Sequence, residues 1–109
     1  MVGDQSITAR VRAILSDRAD VAERRMMGGM CFMVAGHMCC GASGDRLMVR
    51  VGREAYPSVL REPHVRPLDL GGRRPAGYVL VEREGFGSEA LLRWWVDRAL
   101  AVVAALPSR

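Results

Sequence analysis

Met30-Cys31-Phe32-Met33-Val34-Ala35-Gly36-His37-Met38-Cys39-Cys40-Gly41-Ala42 is the stretch on which the fold turns. Two apolar runs, residues 30–35 and 38–42, are separated only by Gly36 and His37, and glycine at the first position of a two-residue loop suits a type II′ hairpin. With that loop, Ala35 faces Met38, Met33 faces Cys40 and Cys31 faces Ala42 on one side of the ribbon, while Val34 and Cys39 share the other. Both sides are apolar. A half-exposed strand would alternate with polar residues, so this hairpin is expected at the centre of a sheet, or covered on its second side by another molecule.

Outward from the hairpin, residues 21–27 read as a preceding strand that ends at Gly28-Gly29, where positive φ makes a reversal easy. Ile7, Val11, Ile14 and Leu15 fall on one face of a helix between Ser6 and Asp17. After the Ser43-Gly44-Asp45 turn, Leu47, Val49 and Val51 alternate with Met48 and Arg50, the pattern of another strand. Residues 53–60 suit a short helix limited by Pro57. Residues 62–77, with three prolines and three glycines, read as an extended connection, and residues 78–82 as a fifth strand. Ser88 caps the closing helix, whose stripe is Leu92, Trp95, Val96, Ala99, Val103 and Leu106, and Pro107 ends it. This order predicts an α+β fold in two layers, an antiparallel sheet with helices packed on one face, in a single domain over residues 1–109.

The 109 residues are half hydrophobic and 26% charged, the balance of a globular chain large enough to bury a core without disulfides or metal. No apolar run approaches the roughly 18 residues of a membrane-spanning helix, and Met1-Val2-Gly3-Asp4-Gln5 does not resemble an export signal. The expectation is a cytoplasmic protein without a membrane. All sixteen cations are arginine against twelve carboxylates, a net charge of +4. Arginine permits an acidic partner, but these residues are scattered along the chain, so direct nucleic-acid binding is expected to be weak.

The run Arg25-Met26-Met27-Gly28-Gly29 followed by the hairpin, together with Leu47-Met48-Val49-Arg50-Val51, Asp69, Gly71-Gly72-Arg73, Gly77 and the closing helix with Trp95 and Leu106-Pro107, resembles the TfoX/Sxy N-terminal domain family. The resemblance spans nearly the whole chain. Met27 departs from the phenylalanine common there, but methionine fills similar apolar space. Two-domain members of the family add a helical C-terminal domain, so the likeness here is to a stand-alone N-terminal-type domain. It implies an α+β sheet domain, a link to transcriptional regulation of natural competence in the two-domain members, and no catalytic residues to carry over.

Candidate sites are few. Cys31, Cys39, Cys40 and His37 are metal-ligand types, but the hairpin pairing puts Cys39 on the opposite face from Cys31 and Cys40, so no metal is expected; three reduced, buried thiols are. Neither His37 nor His64 belongs to a nucleophile–base motif, and no catalytic residue is assigned. Gly71-Gly72-Arg73-Arg74 has the composition of an anion-binding loop, with Arg73 and Arg74 as its cations. Trp94 lies beside the apolar stripe of the last helix, where aromatic anchors mark contacts between chains. Met33 and Val34 are expected at an interface that covers the second face of the hairpin, in a homodimer. These features predict a non-catalytic, protein-binding regulatory module without a cofactor. The alternatives are a nucleic-acid or phosphate binder using the arginines and residues 71–77, and an enzyme or metal protein built on the hairpin.

Overall fold

The computed structural model describes residues 6–26 and 28–107. In chain order the elements are α1 (Ile7–Ile14), β1 (Val21–Met26), β2 (Gly29–Val34), β3 (His37–Ser43), β4 (Arg46–Arg50), α2 (Tyr56–Val59), β5 (Val65–Pro67), β6 (Tyr78–Val81), a 3₁₀ turn (Arg83–Phe86) and α3 (Glu89–Ala104). The strands form one antiparallel sheet in the order β1-β2-β3-β4-β6-β5, so the fold is α+β as expected. Met27, the last residue of the expected first strand, lies outside the described residues.

Both long helices start where a serine hydroxyl replaces a missing backbone acceptor. Ser6 Oγ accepts from the Ala9 amide at 3.1 Å, and Ser88 Oγ accepts from the Leu91 amide at 3.1 Å. α1 is shorter than the expected Ser6–Asp17 span and ends at Ile14, with Leu15 as its cap. Pro57 sits in the first turn of α2, where its missing N–H costs nothing.

The hairpin is central, between β1 and β4, but its register differs from the expected one. Ala35 and Gly36 form the turn, both at positive φ (53° and 85°), and His37 already pairs with Val34. Two positive-φ residues twist a two-residue turn in the sense the strands require, and alanine accepts the strain to do so. A bulge between Phe32 and Met33 then shifts the ladder, so that Met33 pairs with Met38, Phe32 with Cys40 and Cys31 with Gly41. The expected partnership of Cys31 with Cys40 on one face is therefore corrected: Cys40 packs in the helix-side core and Cys31 in the cluster on the opposite face. Two glycines allow the strands to approach closely here. A Cβ on Gly41 would fall on the Met30 carbonyl oxygen, and one on Gly29 on the Ala42 carbonyl oxygen.

The helices cover one face. Val11, Leu15, Leu92, Trp95, Val96, Ala99 and Val103 pack over Phe32, Val34, Cys40, Leu47, Val49, Val79 and Val81. Arg12 of α1 grips Glu23 of β1 through two bonds of 2.7 and 2.8 Å, and His37 Nε2–H donates to Pro107 O at 2.5 Å, tying the end of α3 to the hairpin turn. The opposite face carries Cys31, Met48 and Leu80, flanked by half-buried Met26, Met33, Met38 and Tyr78. The connection over residues 62–77, expected to be strandless, contributes β5 at the sheet edge and then lays Leu68 into this second cluster. Part of the second face is thus covered by the chain itself.

Candidate interaction surface

The inward stripe of α3 leaves Leu91 and Trp94 on the outside, one helical step off the core line. They are 44% and 49% exposed, the largest apolar side chains presented to solvent along this helix. Trp95, the next residue, is buried, and its Nε1–H donates to Gly85 O at 3.0 Å. Trp94 stands edge-on against it, with ring centroids 4.8 Å apart and planes at 81°. Arg98 lies over both rings, 5.0 Å from the Trp94 centroid and 5.8 Å from that of Trp95, and reaches Glu62 at 3.7 Å. The exposed indole is thereby packed on one edge by Trp95 and on its face by Arg98.

Trp94 and Leu91 form one wall of a groove of about 490 Å³, closed on the other side by Pro63, His64, Glu84 and Gly85. His64 holds that wall at φ 67°, and its carbonyl accepts from the Glu82 amide at 2.8 Å. The lining is mostly apolar and includes two carboxylates, Glu62 and Glu84, on a chain of net positive charge. Leu91 was not singled out from the sequence, and His64 was weighed there only as an imidazole base. Leu91 had a readable signal, a large apolar residue off the core stripe, whereas the positive φ of His64 left none.

The other expected sites are distributed differently. Arg74 Nε donates to Asp69 Oδ2 at 3.2 Å, and the Gly72 amide to Asp69 Oδ1 at 2.7 Å. The anion held by this glycine-arginine loop is its own carboxylate, which the Gly72 amide and then Arg74 keep below the usual carboxylate range. Arg73 is exposed beside it. Met33 is half-buried on the methionine face, but Val34 is 1% exposed beneath the helices, so the two adjacent residues do not share a surface. The hairpin cysteines do not converge with His37, whose Nε2 is engaged by Pro107. A different trio, His64, Glu82 and Glu84, brings its ligand atoms within 4.8 Å of one another. Arg66 already holds Glu82 at 2.6 Å, with Arg46 at 3.9 Å, and a cation there would compete with both guanidinium groups.

Among the described residues no helix is long and apolar enough to cross a membrane. The fold and its surfaces define a small two-layer α+β domain with an open six-stranded sheet, an aromatic groove along its last helix and a methionine-lined second face. The chain belongs to the TfoX N-terminal domain family, whose sequence model matches residues 13–103. Neither the curated proteins nor the solved structures compared with it gave a match.

Proposed function

We propose that this chain is a non-catalytic regulatory module that acts by binding protein partners in a transcription-associated setting, in the cytoplasm. The observation that carries the reading is Trp94, 49% exposed and packed against Trp95 and Arg98 at the edge of the groove. A rigid indole loses little conformational entropy on binding, and Trp and Arg dominate the energetic centres of protein interfaces. The carboxylate of Glu84 in the lining favours a partner segment that is apolar with a basic flank, while Glu62 is already met by Arg98. The half-buried methionines Met26, Met33 and Met38 support a second contact, the homodimer, through the opposite face of the sheet.

Affinity purification from the native cell with the wild type and with Trp94→Ala, followed by reconstitution with the purified partner, tests the reading. A partner that binds the wild type and loses about tenfold or more in affinity for the variant supports it. Equal binding by both excludes the groove. A submicromolar, sequence-selective DNA complex at physiological salt would replace protein docking with direct readout, because diffuse charge gives only salt-labile association.

A further inference from the structure

A second cleft, of about 480 Å³, opens between the end of β4, residues 75–77, the start of β6 and the last turn of α3. Its charged lining is Arg50 and Arg53, without a carboxylate. Other clefts mix signs: beside α1, Arg10 and Arg83 share the lining with Asp45, and a neighbouring cleft combines Arg46 and Arg83 with Glu82 and Glu84. Among the described residues no carboxylate pairs with Arg50 or Arg53. Two permanent positive charges thus share one concavity with no anion supplied by the described residues.

Arg50 is firmly placed although no described carboxylate pairs with it. It is half-buried; Nη1–H donates to Met38 O at 3.1 Å, and its guanidinium carbon stands 5.2 Å from the centre of the Tyr78 ring. A guanidinium has five N–H groups, so one bond to a carbonyl and one ring face fix its plane while donors remain. The cleft wall beside it is braced by Gly77 O, which accepts from the Val51 amide at 2.7 Å and the Gly52 amide at 3.1 Å. The rest of the lining is largely apolar, including Tyr78, Val102 and Leu106. The volume lies in the usual range of small-molecule sites, in which a few fixed polar groups orient a mostly apolar ligand.

We infer that this cleft binds a small anion with an apolar body: a carboxylate or phosphate monoester whose head pairs with Arg50 and Arg53 and whose chain or ring lies on Tyr78, Val102 and Leu106. The site is separate from the aromatic groove and shares none of its lining residues. The glycine-arginine loop cannot serve the same purpose while Asp69 occupies Arg74 and the Gly72 amide.

The test is an amide-resolved NMR titration of the whole chain with octanoate and with octyl phosphate, against 1-octanol and inorganic phosphate as controls. Saturable shifts are expected at Gly52, Gly77, Tyr78 and Val102, and the stronger of the two amphiphiles identifies the head group. Binding should weaken by about tenfold or more for 1-octanol and for Arg53→Gln, the scale of a lost charge-assisted hydrogen bond. Arg53 is exposed, so its variant leaves the fold intact; Arg50→Gln, checked for folding by its spectrum, should weaken binding at least as much. Octanol binding as tightly as octanoate would overturn the inference. So would inorganic phosphate matching octyl phosphate, wild-type affinity in Arg53→Gln, shifts confined to another surface, or no saturation at millimolar ligand.

Discussion

The two faces of the sheet are both apolar, yet they are built from different residues. Beneath α1 and α3 the strands present Phe32, Val34, Leu47, Val49, Val79 and Val81, mostly β-branched or aromatic and all fully or nearly fully buried. The other face presents Met26, Met33, Met38 and Met48 with Cys31 and Leu80, covered only in part by Leu68. Valine and isoleucine have few rotamers and fit a matched helix stripe, whereas methionine is unbranched and adapts to whatever lies on it. The difference teaches where the chain needs a single packed answer and where it keeps an adaptable surface.

Two neighbouring residues break this comparison most sharply. Val34→Glu places a carboxylate in the apolar helix-side core, and the protein should fail to fold, seen as lost near-UV dichroism and collapsed NMR dispersion. Met33→Glu, one residue away on the half-buried face, should fold with a melting temperature within a few degrees of wild type. If the methionine face joins two copies, light scattering over a dilution series should show Met33→Glu as the weaker self-associate. A wild type that is monomeric at every micromolar concentration would remove the homodimer while leaving the fold contrast intact.

Two buried leucines sharpen it further. Leu92 lies at the heart of α3's contact with the sheet, and Leu68 is the plug that the connection drops onto the methionine face; both are nearly inaccessible to solvent. Leucine-to-alanine changes in cores cost about 2–5 kcal/mol, more where the surroundings cannot collapse into the cavity. Leu92→Ala should therefore fall near the top of that span, because two helices and a sheet hold the cavity open. Leu68→Ala should fall near the bottom, because a loop and flexible methionines close in. Urea unfolding measures both, and equal losses would show that the two faces are packed alike.

Much of this architecture was legible in the sequence because the apolar periods and caps are strong. The α3 stripe from Leu92 to Val103, the Ser88 cap and the placing of the hairpin at the sheet centre required no tertiary information. The register was not legible. It depends on Ala35 adopting positive φ and on one extra residue at the bulge, neither of which the apolar pattern encodes, and the residue after the turn, His37, meets Pro107, which is 70 residues away in the chain. β5 was hidden for a similar reason: three residues ending in proline carry no period, and they become a strand only because β6 offers a free edge. At the surface, Trp94 could be picked out from the helical wheel, but Asp69 neutralising Arg74 and the gathering of Arg50 with Arg53 beside Val102 depend on loop geometry that no local pattern encodes.

The smallest expected effect tests the cysteines that divide between the two faces. Cys31 is buried in the methionine cluster, and burial pushes its thiol up to about 11, from an ordinary 9.0. Cys40 lies in the helix-side core, where its hydrogen bond with Cys39 and then its burial hold it well above the usual thiol range. All three cysteines are free and buried, so a thiol reagent near neutral pH should react slowly with the native protein and count three per chain after denaturation. Fewer than three would mean a disulfide. The sign of the pH effect follows from the raised values. Below about pH 9 the Cys31 thiol is protonated in both the folded and unfolded chains, and its contribution to stability is fully present. Between about 9 and 11 the unfolded chain loses the proton first, so stability contributed by this group falls as pH rises through that window. Cys31→Ala removes this component without adding a polar group. Compared at pH 8 and pH 10.5, its urea midpoint should decline less steeply than that of the wild type, while the helix-side core still holds Cys40 and keeps part of the alkaline loss. Identical slopes for variant and wild type would show that Cys31 titrates as it does in the unfolded chain, and that the methionine face is more open to water than its packing indicates.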